Sequence, residues 1–253
     1  MKTFCALLLC CLLLGCAAAY GATTKNVDRT VPLSANGSVI LETHNGSVRV
    51  STWARPEIEI HARIEMESDG DQRRFDQTTV EIDSTSNSVH IKSKYPDWTF
   101  SWGWNFGSSP QIHYTITAPA TAKWTIRDHN TRVEMRDVQA ALSLETHNGS
   151  ARIVNLGGPL EINAHNGDFQ VDFAAFKGAS VDMHNGSAEL TMPRSSSFEL
   201  RTNTHNGHVN TDFAVLTRTT GRRRDLNIEG PVNGGGPSLR LSSHNGNFRL
   251  RAK

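Results

Sequence analysis

The triplet His-Asn-Gly recurs six times in this chain, at His44-Asn45-Gly46, His147-Asn148-Gly149, His165-Asn166-Gly167, His184-Asn185-Gly186, His205-Asn206-Gly207 and His244-Asn245-Gly246. A degenerate copy stands at His129-Asn130-Thr131. From His129 onward the histidines are 18, 18, 19, 21 and 39 residues apart. A fixed period of about 20 residues marks a unit stacked on copies of itself, because a unit that short cannot bury its apolar face alone. The last interval is about two periods long, which predicts a rung that has lost its triplet.

The frame around five of the six triplets is as regular as the triplet, and the copy at His205 departs from it with Thr202 in place of an apolar residue three positions before the histidine. Five and three positions before the histidine stand Val39 and Leu41, Leu142 and Leu144, Leu160 and Ile162, Ala179 and Val181, Leu239 and Leu241. Four and six positions after it stand Val48 and Val50, Ala151 and Ile153, Phe169 and Val171, Ala188 and Leu190, Phe248 and Leu250. Each flank alternates with period two, the pattern of a half-buried strand. The inward parity is odd before the triplet and even after it. A straight strand cannot do that, so the triplet is a corner. Asn and Gly both tolerate positive φ, which suits them to it. Strand, corner, strand and return, stacked about 4.8 Å apart, make a parallel β-solenoid. The alternative is a sandwich or barrel of hairpins, since Asn-Gly between alternating runs also reads as a hairpin turn.

Charge and cysteine set further bounds. The chain carries 26 Lys+Arg against 25 Asp+Glu. That balance supplies no whole-protein field for nucleic acid. All four cysteines, Cys5, Cys10, Cys11 and Cys16, lie at the N-terminus, so the folded part has no disulfide. Met1-Lys2 opens a short positive region, and Phe4 to Leu14 is apolar but short for a membrane span. Leu13-Leu14-Gly15-Cys16 then resembles a bacterial lipobox. In lipoproteins with that motif the cysteine is the lipidated first residue, which makes Cys16 the expected anchor. Ordinary cleavage after Ala17-Ala18-Ala19 or Ala22 is the competing reading.

Residues 1–15 thus read as a lipoprotein-type signal peptide and 16–30 as a tether. Residues 31–127 read as an N-terminal β portion with an aromatic arm at 95–110. Residues 128–253 read as the regular His-Asn-Gly solenoid. The interval between His44 and His129 suits either wider rungs or an antiparallel cap, which an open solenoid end needs. Residues 68–77 read as a charged loop, Val80 to Ile91 as a hairpin or further corner, and residues 217–238 as a loop bulging from the rung without a triplet. No helix is expected after the signal segment.

The signal segment, the corners at Thr43 to Ser47 and Thr146 to Ser150, and the stretch Ile112-His113-Tyr114-Thr115-Ile116-Thr117-Ala118-Pro119 together resemble the bacterial putative-adhesin domain family of unknown function. The resemblance covers residues 31–253. It implies a β-solenoid or β-helix-like fold in an envelope or secreted protein, and brings no catalytic or binding residues with it.

Three features are candidates for function. Stacked rungs would set the histidines in a column able to share a divalent metal or to titrate together near pH 6. The structural alternative is a corner ladder made of His147, Asn148, Gly149, His165, Asn166, Gly167, His184, Asn185, Gly186, His205, Asn206, Gly207, His244, Asn245 and Gly246. A metal site needs convergent ligands with a second shell of support, which a linear column without Cys or repeated Asp/Glu lacks, so no metal and no cofactor are expected. Trp98, Phe100, Trp102, Trp104 and Phe106 alternate, so one strand face would carry all five, either as a ligand surface for sugars or protein or as a cap. Arg222, Arg223 and Arg224 could meet phosphate or an acidic polysaccharide but lack interleaved aromatics, so a solvated loop is expected. There is no G-x-S-x-G, P-loop or H-E-x-x-H motif. The expected function is a non-catalytic, adhesin-like binding or scaffold protein. It would be held at the cell envelope by a lipid anchor, in the outer membrane, or be secreted or periplasmic. Its partner would be an envelope protein or polysaccharide rather than nucleic acid. The alternative is a polysaccharide-active β-helix enzyme, which would show a carboxylate pair on neighbouring rungs.

Overall fold

The computed structural model describes residues 22–67, 71–96, 109–216, 218–220 and 227–253. In chain order these form β1 (Thr23–Pro32), β2 (Ser38–Glu42), β3 (Asn45–Trp53), β4 (Glu57–Met66), α1 (Gln72–Gln77), β5 (Thr79–Ser84), β6 (Ser88–Lys94), β7 (Gln111–Pro119), β8 (Lys123–Asp128), β9 (Asn130–Arg136), β10 (Leu142–Leu156), β11 (Leu160–Phe173), β12 (Ala179–Met192), β13 (Phe198–Thr204), β14 (Val209–Thr211), β15 (Arg218–Thr220), β16 (Asn227–Val232) and β17 (Ser238–Ala252). The rungs are stacked in parallel, as the period requires. β10 pairs with β11 and β11 with β12, with Asn148 opposite Asn166 and Asn166 opposite Asn185.

Each rung bends at its triplet while its ladder hydrogen bonding continues. In β11, Leu160 and Ile162 are buried before the corner and Phe169, Val171 and Phe173 after it, with His165 and Asp168 exposed between them. The change of parity folds the two legs around one interior. Leu41, Val48, Ile162, Phe169, Leu241 and Phe248 all belong to a single buried cluster that runs from Leu33 to Leu250.

The rungs are not stacked in chain order. β17 lies between β12 and the pair β13–β14: Asn245 is opposite Asn185 on one side, and Leu239 is opposite Leu200 and Phe248 opposite Val209 on the other. Among the described residues the 39-residue interval holds no further parallel rung, which corrects the expectation that one there had lost its triplet. The residues in that interval instead turn back, with β16 antiparallel to β13 and β15 antiparallel to β16. Gly230 and Pro231 interrupt β16 where a rung would carry alternating apolar side chains, so it serves as an end cover. The chain then regains the rung frame at Ser238 and fills the slot beside β12.

The stack also crosses the boundary expected near residue 128. β2 and β3 form a rung directly beside β8 and β9, with Asn45 opposite Asn130. Beyond it β6 and β7 run parallel to β2 and β3. Antiparallel strands close this end: β5 on β6, β4 on β7 and β1 on β4. Two expectations are corrected here. Residues 23–30, read as tether, belong to β1, where Val27 and Val31 pack on the core amid polar neighbours that hid the alternation. Residues 72–77, read as loop, form α1, a single short helix capped by the Asp71 carboxylate, which accepts from the Arg73 amide at 2.9 Å. Phe75, its one buried side chain, is too little apolar signal to reveal a helix in sequence.

Candidate functional site

The corners bring seven histidines into one column, in the spatial order His44, His129, His147, His165, His184, His244 and His205. Successive ring centroids are 4.6, 4.7, 4.8, 4.8, 5.0 and 5.0 Å apart, with interplanar angles of 1° to 20°. The spacing is that of the sheet, so the backbone sets it and the rings follow. All but the half-buried His129 are exposed. The degenerate copy keeps its place because His129 and Asn130 are both present.

The asparagines form a second column beside the first. Asn130 Nδ2 donates to Asn45 Oδ1 at 3.1 Å, Asn148 to Asn130 at 3.1 Å, Asn166 to Asn148 at 2.6 Å, Asn185 to Asn166 at 2.7 Å, Asn245 to Asn185 at 2.9 Å and Asn206 to Asn245 at 3.0 Å. Every bond points the same way, so the amides share one polarity and each keeps its second N–H for another partner. The glycines are needed for close approach more than for conformation. A Cβ on Gly167 would overlap the Gly149 carbonyl, and one on Gly186 the Gly167 carbonyl. Gly46 and Gly186 also have φ of 128° and 130°. None of the corner asparagines has positive φ, contrary to the turn chemistry expected of them. They serve through their side chains.

One position before each histidine the side chain points into the bend. Thr146, Thr204 and Ser243 are buried there, and Asp128 is half-buried. Burial pushes the Asp128 carboxyl up to about 6, against the opposing pull of the Thr146 hydroxyl, which donates to it at 2.8 Å, and the Thr131 amide. Its signal in the sequence was an acid at an inward parity. Burial, followed by the charge of His129, holds His44 below the usual imidazole range. Tyr95 closes that end of the column, its ring edge-on to His44 at 5.8 Å.

Along the last four rungs the histidines border a groove of about 630 Å³, lined by His165, His184, His244 and His205 together with Asn163, Asp182, Ser242 and Asn203. The arrangement limits the chemistry. Nearly parallel rings point their nitrogen lone pairs in parallel rather than at one point, which is poor geometry for a shared metal ion. Among the described residues no group of three or more His, Cys, Asp or Glu is placed to hold one. Neighbouring protonated rings would repel by about 1 kcal/mol in water-like surroundings and about 3 kcal/mol at a protein surface. The column is therefore a rank of stacked hydrogen-bonding edges.

Of the other candidates, Cys16, Trp98, Phe100, Trp102, Trp104, Phe106, Arg222, Arg223 and Arg224 lie outside the described residues. Among the described residues no helix is long and apolar enough to cross a membrane.

A scaffold of stacked parallel β-rungs defines the class. The chain belongs to the Toastrack DUF4097 family, whose pattern matches residues 24–251. It is similar to a solved "putative cell adhesion protein" of Clostridium sporogenes ATCC 15579, with 10% identity and a TM-score of 0.41 over 90% of this chain and 100% of that one. It is also similar to a "putative adhesin" of Bacteroides fragilis NCTC 9343, with 10% identity and a TM-score of 0.28 over 90% and 97% of the two chains. A "putative lipid binding protein" of Parabacteroides distasonis ATCC 8503 has 12% identity and a TM-score of 0.27 over 89% and 96%. No curated protein matches the chain.

Proposed function

We propose that this chain is a non-catalytic, adhesin-like binding or scaffold protein of the cell envelope, and that its working surface is the His-Asn corner with the adjoining groove. The observation that carries the reading is the exposed rank of imidazoles beside that groove. The stacked rungs hold the rank in place, and the rings of His165, His184 and His244 are exposed beside the groove. A solenoid suits this role because its rungs present the same groups at fixed intervals over an extended face. The partner is an envelope protein or polysaccharide. Cys16 would tether the body to the membrane through lipid, and Trp98, Phe100, Trp102, Trp104 and Phe106 would offer a second contact strip.

The test uses the purified chain and envelope fractions separated into polysaccharide and protein. Retention by one fraction is expected to fall roughly tenfold when His165, His184 and His244 are changed to Gln together, about 1.4 kcal/mol of binding. Unchanged retention, with the variant's thermal melt intact, would remove the corner from the function. Location is tested separately. Cys16→Ser should release the protein from the membrane fraction, and protease applied to intact cells reports which side it faces.

A further inference from the structure

We propose that the His-Asn corner is an acid-activated binding site for a polyuronate, an acidic polysaccharide laid along the solenoid axis. The inference rests on the reading of this corner as the binding surface and adds its ligand class and its control.

Two parallel rows of N–H donors run along the corner. One is the rank of seven imidazole edges. The other is the amide column, in which each donating asparagine spends one N–H on its neighbour along the axis and turns the second away from it. The glycine that follows each asparagine in the six full triplets places no side chain beside that row. On the opposite flank of the imidazoles the groove offers Asn163, Asp182, Ser242 and Asn203. These are acceptors for hydroxyl groups. A polymer that matches both flanks must carry an anion and hydroxyls on every repeat, which describes a chain of uronate sugars. A polyphosphate offers nothing to Asp182. The site is straight because its rungs repeat, so the ligand is a linear polymer rather than a compact one.

Protons supply the control. At neutral pH the whole chain is close to electroneutral, with a formal charge of +1, and neutral imidazoles add nothing to it. Histidines charge as pH falls through about 6.5. Charged rings 4.6–5.0 Å apart would repel one another. By the rung register, the charged groups sharing this face are Glu42, Arg127, Glu145 and Asp182 two positions before the histidines, and Arg132, Asp168 and His208 three positions after. Asp128 in the bend and Tyr95 at the end of the column pack against it from inside and above. Of that set only Asp182 lines the groove, set against the four rings there, while Asp168 and His208 lie on the asparagine flank. Acid therefore turns this stretch cationic, and an anion already hydrogen-bonded there relieves the repulsion between rings.

The experiment measures binding of the full chain to alginate, a polyuronate, and to neutral dextran and inorganic polyphosphate, at about pH 5 and about pH 7.5. Alginate is expected to bind at least roughly tenfold more tightly in acid. That gain should vanish in the His165→Gln, His184→Gln, His244→Gln variant, while dextran shows no dependence on pH. Alginate binding of equal strength at both pH values but lost in the variant overturns the acid control and leaves the corner as a binding surface. Polyphosphate binding as tightly as alginate overturns the ligand class, since charge alone would then suffice. Failure of both, together with unchanged envelope retention by the variant, removes the surface as well. Histidine NMR of the unmodified chain gives a check that needs no variant: imidazole signals that move on adding alginate at about pH 5 support the proposal, and signals unmoved by alginate overturn it.

Discussion

Asp128 is the most costly side chain in the corner, and its cost depends on pH. Its counterparts in the other rungs are Thr43, Thr146, Ala164, Met183, Ser243 and Thr204, none of which ionises near neutrality. Burial raises its carboxyl from the ordinary aspartate range to about 6. The folded state thus binds this proton more tightly than the unfolded chain. Its contribution is most favourable below about pH 4, is lost as pH rises through about 6, and is a fixed penalty above that. Asp128→Asn keeps an acceptor for the Thr146 hydroxyl and cannot ionise. Thermal melts should show the variant more stable by about 1–3 kcal/mol at pH 7.5, with the difference closing below about pH 4. A difference that does not vary with pH would mean the carboxyl is not desolvated. Gly186 makes the opposite case. Gly186→Ala meets both a φ of 130° and the Gly167 carbonyl, and should destabilise by about 2–4 kcal/mol. Gly234→Ala, at a φ of 89° with nothing within 4 Å of the added carbon, should lose only about 1 kcal/mol.

At the scale of the element, the corner is a ladder, so position within it decides what a substitution removes. Asn166 donates to Asn148 and accepts from Asn185, whereas Asn206 only donates, to Asn245. Asn166→Ala should therefore lower stability by about 1–3 kcal/mol and Asn206→Ala by about half as much, read from urea midpoints at constant slope. Equal losses would show that the amides act one by one. The rung was legible because period, parity and triplet all recur in the same frame, and so the columns of His147, Asn148 and Gly149 and their equivalents could be read as a corner. The order of rungs was not legible. Every rung carries the same frame, so β17 satisfies the slot beside β12 as well as a place after β14 would. Nor could sequence weigh Asp128, whose effect comes from neighbours in other rungs. The groove likewise joins β11, β12, β17 and β13, which no linear reading brings together.

Over the whole molecule the two ends of the stack are closed in unlike ways, and this sets where opening begins. At one end β1 and β4 are each ten residues long and pair antiparallel throughout, with β4 held on its other side by β7. At the other, β14 and β15 are three residues each, and β14 pairs with β17 alone among the described strands. The last strand of the chain lies in the interior of the stack, with β12 on one side and β13 and β14 on the other. β17 cannot leave without exposing two sheet edges and the buried Leu239, Leu241, Phe248 and Leu250. Native-state hydrogen exchange should therefore find the amides of Leu241 and Leu250 among the slowest, exchanging only with global unfolding, and those of β14 and β15 orders of magnitude faster. The opposite result, fast exchange in β17 with β13 protected, would mean that β13 can close directly onto β12 and that the observed order of rungs is one of two the chain can adopt. The first result would also make the C-terminal residues indispensable. Removing residues 238–253 should destroy the second half of the histidine column while the cap built from β1, β4 and β7 keeps its protection.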